Sequence, residues 1–138
     1  MIFEDFIKEE RVIIGEKDFQ KAKALIKMSK KNFQTAEKLE IDKITASTVL
    51  SILYESLREI VEAICLTKGY KVCSHEAFTA YLKKINEDST AEKFDRLRKL
   101  RNRVHYYGKP VSTETAVNAK QEVKKLNYYL TDKHLKNL

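Results

Sequence analysis

Residues 43–68, KITASTVLSILYESLREIVEAICLTK, decide the fold class, because their apolar positions cover most of the circumference of a helix. Asp42 precedes the stretch as a predicted N-cap, and Gly69 follows it where a left-handed residue commonly ends a helix. A helix that is apolar on most sides must be enclosed by others, so we expect it at the centre of the protein. Its polar exceptions are Tyr54, Glu55, Arg58 and Glu62. Some of these are spaced four apart on one flank, which suits an arginine–glutamate pair or the lining of a site.

Helical spacing continues on both sides of this stretch. Upstream lie a short amphipathic start and a long helix over about residues 17–39, whose one face is marked by Phe19, Ala22, Ile26, Ser29, Phe33 and Ala36. Downstream, Ser74 is the predicted cap of a short helix, and Ser89 with Glu92 has the spacing of a capping box. A last amphipathic helix is predicted from about residue 113.

The three glycines, Gly15, Gly69 and Gly108, each follow a stretch with helical spacing, so they are expected to end helices. Three glycines and one proline are too few turn residues for a fold rich in hairpins. We therefore predict an all-α fold: an up-and-down bundle of four to five helices that forms one domain over residues 1–138.

Charge and hydropathy restrict the partners. The net charge of +7 favours a polyanion such as nucleic acid, although a basic surface also keeps a bundle soluble. No apolar run approaches the length of a membrane span, and acidic residues stand where a signal peptide needs basic ones. We expect a cytoplasmic protein without a membrane partner.

The stretch LRKLRNRVHYYGKP, residues 97–110, concentrates the chemistry that the sequence offers. Helical spacing predicts an apolar stripe of Phe94, Leu97, Leu100, Val104 and Tyr107. The adjoining flank then carries Arg98, Arg101, Asn102 and His105. Further cations surround this flank: Lys93, Arg96, Lys99, Arg103 and Lys109. We expect this second set to contact phosphate or RNA.

Arginine presents a planar fork of donors to a phosphate group, and histidine can take or give a proton near neutral pH. Together these groups could cut RNA without a metal ion, with arginine and asparagine stabilising the additional charge on the phosphate. The structural alternative is that basic residues near a helix C-terminus complement its dipole and cap its carbonyls.

No other part of the sequence suggests a site. His75 and His134 have no carboxylate or cysteine at metal-ligand spacing, and we assign them no role. Two cysteines, Cys65 and Cys73, indicate neither a disulfide framework nor a zinc site. The sequence also has no glycine-rich phosphate loop. It therefore predicts neither a metal nor a cofactor.

The segments RNRVHYYG, SILYESLREIVEAICLTKGY and SHEAFTAYL, in the order of their helices, resemble the HEPN domain family over residues 19–130. The resemblance implies a helical bundle, usually a homodimer in which motif residues of two subunits meet in a shared cleft. Many members are metal-independent endoribonucleases, often toxins of toxin–antitoxin pairs. Others are inactive RNA-binding proteins or partners of nucleotidyltransferases.

The family motif is an arginine, commonly followed by a polar residue, and then a histidine after four to six intervening residues. Arg101, Asn102 and His105 resemble this motif, but only three residues separate Arg101 from His105, whereas six separate Arg98 from it. The resemblance leaves open which arginine would contact phosphate. In some members a tyrosine two residues after the histidine receives AMP from a partner nucleotidyltransferase; Tyr107 has this position, but packing on the apolar stripe explains it equally well.

Three functions are therefore considered. The first is an RNA-cleaving HEPN protein that uses His105 with Arg98 or Arg101. The second is a non-catalytic module whose basic flank binds a nucleotide, RNA or an acidic partner. The third is an assembly role, with the arginine and histidine flank buried between subunits.

Overall fold

The computed structural model describes residues 1–138 as six helices and two short strands. The elements in chain order are α1 (Phe3–Lys8), β1 (Val12–Ile14), α2 (Phe19–Lys38), α3 (Ala46–Thr67), β2 (Tyr70–Val72), α4 (His75–Lys84), α5 (Asp88–Tyr107) and α6 (Thr113–His134). The all-α prediction is confirmed. The six helices observed exceed the four to five predicted, because the amphipathic start forms a separate helix joined to the rest through a small sheet.

Helix α3 is the centre of the bundle, as its apolar circumference predicts. Val49, Leu53 and Leu57 are fully buried, and helices α2, α5 and α6 all pack against α3. Phe94 and Leu97 place the N-terminal half of α5 in the same core. The position of α5 is thus fixed by its apolar stripe, while its C-terminal half carries the polar flank beyond the core. No helix is both long and apolar enough to cross a bilayer.

Two predicted caps are wrong. Helix α3 begins at Ala46 with Thr45 as its N-cap, and Asp42 instead accepts hydrogen bonds from the backbone N–H groups of Ile44 and Thr45 at 2.8 and 3.0 Å. Asp42 therefore closes the turn before the helix. Helix α5 begins at Asp88, so Ser89 lies inside its first turn and does not form a capping box.

The small sheet ties the N-terminal segment to the end of α3. Strands β1 and β2 pair antiparallel, with Val12 opposite Val72. Gly15 follows β1 and not a helix, contrary to the prediction from spacing, and its N–H donates to the Gly69 carbonyl at 2.8 Å. Gly69 has φ of +83°, and a Cβ there would lie 2.6 Å from the Gly15 carbonyl oxygen. Backbone conformation and close approach both require glycine at this position.

Gly69→Ala is expected to destabilise the protein by about 1–3 kcal/mol, because the left-handed conformation and the clash with Gly15 act together. Gly15→Ala is the matched control, since a Cβ at Gly15 meets nothing within 4 Å. Urea denaturation followed by circular dichroism measures both variants. Equal stability of the two would show that the contact between the glycines does not restrict residue 69.

Candidate phosphate-binding site

The C-terminal half of α5 and the N-terminal half of α3 enclose a polar groove. The groove has a volume of about 400 Å³ and is lined by Asn32, Ser47, Thr48, Ser51, Ile52, Glu55, Arg101, Val104 and His105. The exposed imidazole of His105 lies with Nε2 3.0 Å from Ser51 Oγ. Of the predicted site residues, Arg101 and His105 are thus the two that share this groove, which we call the His105 groove.

Arg101 is a half-buried cation without a carboxylate partner. Its guanidinium carbon lies 5.6 Å from the centroid of the Tyr54 ring, and its Nη1 donates to Asn102 Oδ1 at 3.2 Å. The aromatic face and the amide hold the guanidinium without neutralising it. Partial burial weakens the hydration of the Arg101 guanidinium, and no ion pair replaces the lost hydration. Binding of an anion beside this guanidinium is therefore favourable.

Arg98, the second candidate arginine, is already paired. Its side chain is only 12% exposed, and its Nη2 lies 2.9 Å from Asp95 Oδ1. The Thr79 hydroxyl donates to the same oxygen at 3.1 Å. Burial opposes ionisation of Asp95, but hydrogen bonds from Lys99 and Arg98 outweigh it and lower the pKa of the carboxyl. Arg98 is therefore neutralised beside α4 and does not line the His105 groove.

The polar flank of α3 contains the ion pair that the sequence suggests. Arg58 Nη1 lies 2.8 Å from Glu62 Oε1, and the other side of the guanidinium contacts Glu55. Burial opposes the charge on Arg58, yet the bonds with Glu55 and Glu62 prevail and raise its pKa. Of Arg58, Arg98 and Arg101, only Arg101 is left without a carboxylate.

The buried Tyr54 and the half-buried His75 form a pair beside Arg58 and Arg101, and no sequence pattern indicated it. Tyr54 is fully buried, and its hydroxyl lies 2.8 Å from His75 Nδ1. Burial raises the pKa of Tyr54. Burial, followed by the positive charges of Arg58 and Arg101, lowers the pKa of His75. His75 carried no sequence signal beyond its position after Ser74, because its partner Tyr54 lies 21 residues earlier on another helix.

None of the five surrounding cations lines the His105 groove. A second groove of about 680 Å³ lies between α4 and α5, where its lining includes Lys83, Arg96, Lys99, Asn102, Arg103 and Tyr107. Among its cations, Lys99 pairs with Asp95 at 3.1 Å and Arg96 pairs with Glu122 of α6 outside the groove, whereas Arg103 forms no ion pair. Lys93 faces α6, and Lys109 is exposed beyond the end of α5. Asn102 stands between the two grooves, bonded to Arg101 and lining the second.

Tyr107 does not pack on the apolar stripe as its spacing predicts. Its side chain is 72% exposed, and that of the neighbouring Tyr106 is 69% exposed. Leu100 and Val104 are only partly buried, so the stripe leaves the core before the helix ends at Gly108. Burial of the stripe thus decreases along α5, from Phe94 and Leu97 in the core to the exposed last turn.

No protein-family model matches this sequence, and no curated protein matches it either. The fold and the site therefore define the chain only as an all-α helical bundle in which an arginine that forms no ion pair shares a groove with an exposed histidine and Glu55. No three His, Cys, Asp or Glu side chains are grouped so that they could hold a metal ion.

Proposed function

We propose that this chain is a HEPN-type endoribonuclease that cleaves RNA in the His105 groove without a metal ion. The observation that supports this proposal best is the shared groove of His105 and Arg101, in which Arg101 has no carboxylate partner. A phosphodiester would supply the missing negative charge. His105 would then stand one helical turn from the phosphate-binding group.

The chemistry needs one proton removed and one proton supplied. A base takes the proton of the ribose 2′-hydroxyl, and the resulting oxygen attacks the adjacent phosphorus. The bond from phosphorus to the 5′-oxygen breaks, and an acid protonates that leaving oxygen. His105 is the group in the groove suited to one of these transfers, while Arg101 stabilises the charge that accumulates on the phosphate oxygens. The products are a 2′,3′-cyclic phosphate and a 5′-hydroxyl.

A non-catalytic RNA- or nucleotide-binding role is the second candidate. The observation that favours it is that the His105 groove contains one imidazole, whereas the reaction uses both a base and an acid. A homodimer of the HEPN kind would provide a second His105 from the partner copy. We therefore propose that the nuclease acts as a homodimer. The location proposed for it is the cytoplasm.

The proposal extends to a regulatory partner. A toxin-type nuclease requires an inhibitor, and a nucleotidyltransferase-type antitoxin that transfers AMP to Tyr107 is the kind that the HEPN resemblance implies. The exposed hydroxyl of Tyr107, two residues beyond His105 on the same helix end, supports this partner because a transferase could reach it.

The experiment is incubation of the purified protein with single-stranded and structured RNA in EDTA, followed by mapping of the cut ends. We expect fragments with 2′,3′-cyclic phosphate and 5′-hydroxyl ends. RNA substituted with 2′-deoxyribose is the control, because it lacks the nucleophile and should remain intact. Intact RNA together with binding that weakens steeply with salt would instead establish the non-catalytic role.

A further inference from the structure

We infer that His75, which contacts the same tyrosine as Arg101, is a second phosphate-binding residue adjoining the His105 groove and acts there as a neutral N–H donor. The inference rests on the proposed function, since it concerns the phosphate group that Arg101 would bind. It assigns a role to a histidine that lies 30 residues before His105 in the chain and on a different helix.

His75 and Arg101 converge on one side chain. The His75 ring centroid is 5.8 Å from that of Tyr54, and the Arg101 guanidinium carbon is 5.6 Å from the same ring. His105 contacts Ser51, which precedes Tyr54 by three residues on α3. Residues three apart on a helix lie on one face. Tyr54 thus joins His75 to Arg101 and lies on the same face of α3 as Ser51, the partner of His105. His75 itself does not line the His105 groove, so it adjoins the groove through Tyr54.

The hydrogen bond with Tyr54 fixes the state of the imidazole. Tyr54 is buried and keeps its proton, and His75 Nδ1 is the only group within hydrogen-bond distance of its hydroxyl. A buried hydroxyl donor must find an acceptor, so the tyrosine donates and Nδ1 accepts. In a neutral imidazole the proton then resides on Nε2. Tyr54 thus selects the tautomer of His75 in which Nε2 is a donor.

The charges around His75 keep this imidazole neutral. Burial and the arginines Arg58, Arg101 and Arg98 disfavour a proton on Nδ1, against the opposing charge of Glu55. Nε2 makes no hydrogen bond within the protein, and the side chain is half-buried. A donor that shares the Tyr54 ring with the unpaired Arg101 guanidinium suits a phosphate oxygen, which accepts hydrogen bonds from neutral and charged donors alike.

Two substitutions separate this role from a purely structural one. His75→Asn places a side-chain oxygen near the position of Nδ1, so it preserves the acceptor for Tyr54 but lacks the Nε2 donor. His75→Gln reaches the position of Nε2 with an amide N–H but loses the Nδ1 acceptor. If His75 binds phosphate, His75→Gln should retain RNA binding and His75→Asn should lose it. If His75 only accepts the hydrogen bond of Tyr54, His75→Asn should be the more stable variant and should bind RNA at least as well as His75→Gln.

The test measures the Kd of a fluorescent single-stranded RNA with 2′-deoxy substitutions, which binds without being cut, by fluorescence anisotropy. We expect His75→Asn to weaken binding about tenfold, the scale of one hydrogen bond to a charged group, and His75→Gln to remain within about threefold. Unchanged binding by His75→Asn overturns the inference while leaving the proposed function intact. Absence of binding by the wild-type protein overturns both.

A measurement on the wild-type protein covers the case in which the variants do not fold. Titration of ¹⁵N-histidine-labelled protein with inorganic phosphate should shift the His75 Nε2 resonance and leave its Nδ1 resonance largely in place. A His75 Nε2 resonance that stays constant while that of His105 shifts would place the anion elsewhere in the groove and overturn the inference.

Discussion

His105→Ala is expected to reduce RNA cleavage by about 10²–10⁴-fold, the usual contribution of one positioned acid or base. The imidazole is exposed in the groove and its one hydrogen bond is to the Ser51 hydroxyl, so its removal takes away a proton-transfer group without opening the core. Binding of uncleavable deoxy-substituted RNA should change far less. Initial cleavage rates and anisotropy on the same preparations measure the two effects separately.

His134→Ala is the matched control for this variant. Its imidazole lies on α6, where Nε2 is 3.1 Å from Glu87 Oε1, and it contacts no residue of the His105 groove. Cleavage by His134→Ala should equal that of the wild-type protein. Wild-type cleavage by a folded His105→Ala protein would assign the proton transfer to another group and refute the mechanism.

The fold could be predicted from sequence because one segment restricts all the others. The apolar circumference of α3 requires helices on several sides, and the stripe from Phe94 to Leu97 fixes which face of α5 meets it. Helix starts were less predictable. Asp42 and Thr45 are both good capping residues three apart, and only tertiary packing decides which of them begins the helix.

The candidate site could be predicted only in part. Spacing on a single helix places Arg98, Arg101 and His105 on one flank, and it also puts Asp95 three residues from Arg98, within reach of a pair. It contains no information on the groups that other helices add to this flank. Asp95 lies on the same helix, yet the Thr79 hydroxyl that helps to hold it comes from α4. Tyr54 and His75 are 21 residues apart on separate helices, so no local pattern could have joined them.

Arg101→Ala is expected to reduce kcat/KM for RNA by about 10²–10³-fold, the loss seen when one preorganised donor to a reacting oxyanion is removed. The reason is that Arg101 is the cation of the His105 groove that no carboxylate neutralises. Arg101→Lys retains the charge but not the planar fork, so it should recover only part of the activity. Steady-state cleavage of a short labelled RNA gives the three values.

Arg98→Ala is the comparison that decides between the two arginines. Its loss leaves Asp95 with Lys99 and Thr79 as partners, and it removes a nearly buried ion pair, so thermal stability should fall more than in Arg101→Ala. Cleavage should fall less, because the Arg98 guanidinium is bound to Asp95 outside the groove. A folded Arg98→Ala protein as inactive as Arg101→Ala would mean that substrate draws Arg98 away from Asp95. The longer spacing, with six residues before His105, would then be the functional one.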